Sequence, residues 1–305
     1  MLACGACVIL DTGIVTVAYH NAFMASALAT VLLGACGATD NALAEPTAPV
    51  LVDTTPKSLP SLQLYIPGEV MRFELRFRKV VVGRAALTVG EPGVLDGRPT
   101  FIVRSGLETV GVGKLIQDIR DDVTSWLDME KGRTVRQRAE MLFGEQDMLF
   151  NIRCAGRWVF IEIVRRGPKY QGLRKRFART QRQYRVPAGE VAFDTHAVLG
   201  ALRAWDGKPG ERLYFYTVSG NRIWQTELKL AGTETRYVAL GQYPALRFEG
   251  TSRRVTYKME PDPRSEPRAF TLWLSDDDDR LPLLIEGHTD FGKAAIELVD
   301  YHKKP

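Results

Sequence analysis

Thiols, imidazoles and one long run of guanidinium groups are the side chains in this sequence best suited to chemistry or to holding a partner. Cys36 has the most definite setting, because it closes Leu33-Gly34-Ala35-Cys36 at the end of the apolar run 22–35. Small residues at Gly34 and Ala35 leave the backbone open to a processing peptidase just beyond an apolar leader. The pattern is that of a bacterial lipobox, in which the thiol takes a diacylglycerol, the bond before it is cut, and the new amino group is acylated. The apolar run falls short of the roughly 20 residues that a spanning helix needs, so it reads as a leader. No Lys or Arg precedes Lys57, although an export leader ordinarily opens with positive charge. Acyl chains on Cys36, at about 0.8 kcal/mol per buried CH₂, would make attachment effectively permanent. Gly37 in place of Asp fits release to the outer membrane, facing the periplasm.

The other cysteines promise less. Cys4 and Cys7 have the spacing of a redox or metal half-site but precede the expected cut and have no second pair. Cys154 stands in a strand-like stretch and suits a small core position better than a reactive one. His196, His288 and His302 have no second ligand at helical or strand spacing, so no metal or other cofactor is expected. Gly111-Val112-Gly113-Lys114 lacks the glycine spacing and hydroxyl of a phosphate loop and reads as a turn. Asp290-Phe291-Gly292 reads as a hairpin turn, without the partner motifs of a kinase. Asp276 to Asp279 offer hard oxygen ligands for calcium, but an EF-hand's spacing and distal Glu are missing, which favours a solvated turn. No Gly-x-Ser-x-Gly elbow occurs, and spacing alone assembles no Ser-His-Asp triad. An enzyme is therefore not expected; an envelope hydrolase would require Ser, His and Asp side chains to converge in the fold.

Charge gives the clearest pointer to a binding site. Between Arg165 and Arg185 stand nine basic residues and no acidic one: Arg165, Arg166, Lys169, Arg174, Lys175, Arg176, Arg179, Arg182 and Arg185, with Tyr170, Phe177 and Tyr184 among them. A planar guanidinium donates in pairs to phosphate or carboxylate. In an exported, tethered chain of net charge +5 the expected partners are the membrane itself through the acyl anchor and, beside it, anionic lipid, lipopolysaccharide or an envelope protein. Nucleic acid is not expected. The competing reading is a solvated basic loop or hairpin.

These groups must be positioned by a framework whose period is two. Residues 1–35 form the leader, and 36–60 a tether, since Pro46, Pro49, Pro56 and Pro60 stand among small polar residues that bury little surface. From 61 to 305 the pattern is that of one mostly-β domain. Met71, Phe73, Leu75 and Phe77 alternate with Arg72, Glu74, Arg76 and Arg78, which predicts a strand with one dry face. Similar runs recur at 85–89, 101–104, 123–127, 158–164, 213–218, 223–230, 246–249, 255–259, 270–274, 283–286 and 295–301. Turn-like separators stand between several of them, such as Asp96-Gly97 and Ser219-Gly220-Asn221. One segment breaks the rhythm: Asp194 can cap a helix through Val198, Leu199, Leu202 and Trp205. The expected fold class is mainly β, an antiparallel curved sheet or half-open β-barrel covered by one or few helices.

Several of these pieces occur in an order that resembles the domain of unknown function 3108 family. They are Pro67-Gly68-Glu69 before a strand, Val82-Gly83-Arg84-Ala85, Ser125-Trp126-Leu127-Asp128, the Phe193-Asp194 helix, Leu272-Trp273-Leu274-Ser275-Asp276 with Leu281-Pro282-Leu283, and the closing Phe291-Gly292 and Leu298. The resemblance spans roughly residues 66 to 302. It implies an exported envelope protein and carries over no catalytic residue. By analogy with the half-open barrels of lipoprotein carriers, the concave face could hold acyl chains of an anionic amphiphile. Alternatively, Phe73, Trp158, Trp224 and Trp273 fill a closed core, and the chain is an interaction scaffold without a ligand cavity.

Overall fold

The computed structural model describes residues 57–59, 64–167, 170, 178–289 and 292–304. Cys36 with its leader, most of the tether, Lys169, Arg174, Lys175, Arg176 and the turn residues Asp290 and Phe291 lie outside the described residues. The strands are β1 (Lys57–Ser58), β2 (Val70–Phe77), β3 (Val80–Val89), β4 (Gly93–Leu95), β5 (Arg98–Thr109), β6 (Ile119–Asp128), β7 (Thr134–Phe143), β8 (Gln146–Ala155) and β9 (Trp158–Arg166). They continue as β10 (Arg179–Arg185), β11 (Ala192–Phe193), β12 (Arg212–Ser219), β13 (Arg222–Val238), β14 (Gly241–Arg254), β15 (Arg268–Ser275), β16 (Pro282–Thr289) and β17 (Gly292–His302). Two helices interrupt them, the short α1 (Val112–Ile116) and α2 (Thr195–Arg203).

One antiparallel ladder runs β12-β13-β14-β15-β16-β17-β2-β3-β5-β6-β7-β8-β9-β10. The β17–β2 pairing joins the two termini of the domain, with Ile296 opposite Leu75. β4 extends the β5 side, while β1 and β11 run parallel to β12 along its other edge. The sheet is curved and open, not closed into a barrel. The expected mostly-β, antiparallel, half-open architecture is what the chain adopts.

Period two accounts for the face chosen by each strand. In β2, Met71 and Phe73 are buried, while Arg72 reaches the other side to pair with Asp300. Arg78 and Lys79 both take positive φ, as the two-residue turn into β3 requires. β7 and β10 were harder to read because their inward positions are partly polar. Gln137 is buried in β7, and Tyr184 is the one apolar or aromatic residue of β10. At Gly111 to Lys114, where a turn was expected, α1 makes one helical turn. A Cβ on Gly113 would sit 2.1 Å from the Val82 carbonyl oxygen, so only glycine lets α1 lie that close to β3.

α2 fills the concave face. Asp194 caps it by accepting from the Ala197 N–H at 2.8 Å, and all nine of its residues are buried among Phe73, Leu87, Phe215, Leu228 and Phe270. The β12–β13 hairpin is buried on both faces. Leu213 and Phe215 turn toward α2, while Tyr216, Val218 and Ile223 pack with Phe150, Ile161, Ile163 and Tyr184 of β8 to β10. The sheet is thus rolled so that one edge tucks inside the other. Trp158 does not help to fill this core: it is 38% exposed on the outer side of β9, against Phe160 and under the Arg185 guanidinium. Phe73, Trp224 and Trp273 are buried as the closed-core reading requires.

Because the ladder is continuous, successive connections gather at two ends. The β2–β3, β5–β6, β7–β8, β9–β10, β12–β13 and β14–β15 connections share the upper end. The α2 connections, the segment 64–69 before β2, and the Asp276 to Arg280 turn share the lower one.

Candidate functional site

The concave face does bring Ser, His and Asp side chains together. His196, on the first turn of α2, lies with Nδ1 2.7 Å from Ser125 Oγ and Nε2 2.9 Å from Ser105 Oγ. Burial pushes its pKa down, against a smaller opposite pull from Asp194. Asp121, an inward residue of β6, is buried, and among the described residues no donor meets either carboxylate oxygen in hydrogen-bond geometry. Burial and the neighbouring Asp122 charge raise its pKa well above the usual carboxylate value. Asp121 and Ser105 line a cavity of about 10 Å³, room for roughly one water.

This cluster lacks the relay of a hydrolase. A triad needs one imidazole nitrogen on the nucleophile and the other on an orienting carboxylate, whereas both nitrogens of His196 are taken by serines. Asp194 accepts from Ala197 N–H as a helix cap instead. The sequence concealed the cluster because its members come from three separated segments. His196 is buried. Burial, with a smaller contribution from Asp194, pushes the Cys154 thiol up to about 12.

At the lower end, Glu69 and Arg203 form a bidentate ion pair at 2.6 and 2.8 Å, both side chains 0% exposed. Arg203 also donates to the Asp279 carbonyl at 2.9 Å, and Tyr301 O–H donates to Glu69 at 3.1 Å. Gly68, at φ +80°, sets the turn that delivers Glu69. The carboxylates of Asp277 and Asp279 nearby face backbone amides and Lys303, and Asp276 faces Arg280, an arrangement of a braced turn. Among the described residues no cluster of His, Cys, Asp and Glu is grouped as a metal site.

The basic run is divided by the pleat. Arg166, Arg179 and Arg185 alternate to the outer side of β9 and β10. There Arg166 meets Glu140 at 2.9 Å and Asp147 at 3.0 Å, Arg179 meets Glu162 at 2.6 Å, and Arg185 stacks on Trp158. Arg166, and after it Arg138, hold the Glu140 carboxyl below the usual carboxylate range; Arg179 does the same for Glu162. Arg165 and Arg182 alternate to the inner side, Arg165 donating to Thr180 Oγ1.

Arg182 has company that the sequence did not announce. Where β10 meets the β12–β13 hairpin, Arg182 donates to the Asn221 carbonyl at 3.4 Å and Tyr184 O–H donates to the same oxygen at 3.2 Å. Arg222 bonds Tyr184, and Arg254, at the end of β14, is bound by Asp262 at 2.9 Å. Among the described residues no carboxylate pairs with Arg182 or Arg222. Burial, then repulsion from Arg182 and Arg254, hold the Arg222 guanidinium below the usual arginine range. In the sequence Arg222 and Arg254 are isolated strand-end charges; only the rolled sheet unites them with Arg182.

Among curated proteins, none matches. A β-barrel-like protein of domain of unknown function DUF1849 from Brucella abortus is 7% identical at TM-score 0.47, covering 80% of this chain and 100% of its own. A presumed exported protein with a YmcC-like fold from Bacteroides fragilis is 8% identical at TM-score 0.31, covering 80% and 100%. A presumed lipoprotein from Parabacteroides distasonis is 8% identical at TM-score 0.32, covering 79% and 99%. Residues 72–299 match the family described as Protein of unknown function (DUF3108), and the chain belongs to that family.

Proposed function

We propose that the chain is a lipid-anchored, non-enzymatic protein of the bacterial envelope that acts through its surface, as an interaction scaffold, rather than by carrying an acyl chain in its concavity. One observation carries this reading: α2 occupies the concave face with all nine residues buried. The cavity against α2, lined by Val198, Leu202, Phe215 and Phe270, is about 10 Å³, far below the roughly 300 Å³ at which small-molecule pockets begin. Cys36 supports the envelope location, with outer-membrane attachment facing the periplasm.

Two measurements test the reading. Metabolic labelling with a clickable fatty acid should mark the parent and not Cys36→Ser; equal labelling of both would remove the anchor. Native mass spectrometry of protein extracted from its own membrane should show the acylated chain alone. A stoichiometric, non-covalent lipid would restore the carrier reading.

A further inference from the structure

We propose that the seam between β10 and the β12–β13 hairpin is an anion-binding site in which Arg182, Arg222 and Arg254 hold a phosphate group. The proposal goes beyond the scaffold reading and does not depend on it.

Charge balance is the first ground. Arg182 donates to the Asn221 carbonyl that Tyr184 also serves, Arg222 follows Asn221 in the chain, and Arg254 precedes Val255, whose N–H bonds the Ile223 carbonyl; Asp262, on Arg254, is the one carboxylate bound to any of the three among the described residues. The excess matches the roughly −1.5 to −2 charge of a phosphate monoester. Arginines close enough to repel one another, one of them about half buried, lose that repulsion when an anion sits between them. Burial first, and repulsion from Arg182 and Arg254 after it, hold Arg222 below the usual arginine range.

Donor supply is the second ground. Each guanidinium carries five N–H donors in a planar fork, and the Asn221 carbonyl, the Tyr184 oxygen and Asp262 engage only some of them. Three forks suit the several oxygens of a phosphate better than the two of a carboxylate. Asn221 is 2% exposed and its Oδ1 has no donor among the described residues. The frame is rigid. Tyr184 is buried and stacks on Tyr257 at 5.0 Å with 8° between the rings, while the Val255 N–H to Ile223 carbonyl bond of 3.0 Å ties β14 to β13 beside the seam.

A phosphate can come free in solution or on a lipid headgroup, and the experiment separates the two. The full chain in a nonionic detergent is titrated calorimetrically with inorganic phosphate. In parallel, it is floated with phosphatidylcholine vesicles containing or lacking phosphatidic acid, whose headgroup is a phosphate monoester. Variants are Arg222→Gln, Arg182→Gln and, as the outer-face control, Arg166→Gln, each checked by circular dichroism. Binding in at least one arm, weakened about tenfold or more by Arg222→Gln or Arg182→Gln and by salt but unchanged by Arg166→Gln, supports the site. Response to phosphate alone assigns a soluble ligand, and response confined to the phosphatidic acid vesicles assigns a headgroup. If Arg222→Gln does not fold, Arg182→Gln decides. No binding in either arm, or binding that both seam variants leave intact, overturns the proposal.

Discussion

The lower and upper ends of this molecule both concentrate arginine, and they treat it in opposite ways. At the lower end Arg203 is withdrawn from water completely, but Glu69 meets it with two bonds, the Asp279 carbonyl takes further donors, and Tyr301 serves the carboxylate. Such a pair can be buried because every charge is answered. At the seam Arg182, Arg222 and Arg254 remain partly wet, and among the described residues the one carboxylate bound there, Asp262, serves Arg254 alone. The compensated charge fastens α2 to the strand that follows the 67–69 turn, whereas Arg182, without a carboxylate among the described residues, gives the fold one bond to the Asn221 carbonyl. The difference separates charge used for structure from charge left for a partner.

The largest effect should come from breaking the lower pair. Glu69→Ala strands Arg203 in a dry site and should cost about 3–5 kcal/mol, read by chemical denaturation. Replacing both partners, Glu69→Leu with Arg203→Met, should recover much of that loss, because an apolar pair of similar volume is often neutral or better. A loss below about 1 kcal/mol for Glu69→Ala would mean that the pair behaves as a surface contact, and the contrast between the two ends would fail.

Asp121 provides an intermediate case, a buried carboxyl that no side chain among the described residues pairs in hydrogen-bond geometry. Its folded pKa lies above the unfolded value because of burial and Asp122. Below the unfolded value, about 3.9, both states hold the proton and stability is complete. As pH rises from there through the folded value, the unfolded chain releases its proton first and stability is lost. Asp121→Asn should therefore stabilise the protein at neutral pH, by about 1 kcal/mol for relief of an unsatisfied buried acid. The gain should shrink as pH falls toward 4. Melting temperatures across that range check it, and a gain independent of pH would show that Asp121 does not titrate as its surroundings require.

What could be read from the sequence follows from range. β2 and α2 announce themselves because alternation at Met71 to Phe77 and the cap at Asp194 are local. The inward sequence of β10 is Thr180, Arg182, Tyr184, so no apolar rhythm marks it, and from the sequence the run reads either as a binding site or as a solvated basic loop or hairpin. The basic run itself was visible, but the pleat that sends Arg166 and Arg179 outward to Glu140 and Glu162 depends on which strands lie beside β9. Arg222 and Arg254 were invisible as a pair, since their meeting with Arg182 requires one edge of the sheet to roll inside the other. Long-range charge compensation is a property of register, and register across fourteen laddered strands is not written in any one segment.

The smallest effect makes the sharpest comparison because its sign is at stake. Arg166→Gln removes an exposed cation already answered by Glu140 and Asp147, so it should lower stability by no more than about 1 kcal/mol. Arg222→Gln removes a cation pressed against two others and should leave stability unchanged or raise it by a few tenths of a kcal/mol, the scale of like-charge pairs at a surface. Salt should shrink both effects toward zero, since exposed charges are screened over about 8 Å at physiological ionic strength. Urea denaturation without added anion, at low and high salt, reads both variants. Opposite signs at low salt that converge at high salt would identify the seam as charge held in reserve. A clear loss for Arg222→Gln would instead place that guanidinium among the fastenings of the fold, with its bond to Tyr184 as the contact that matters.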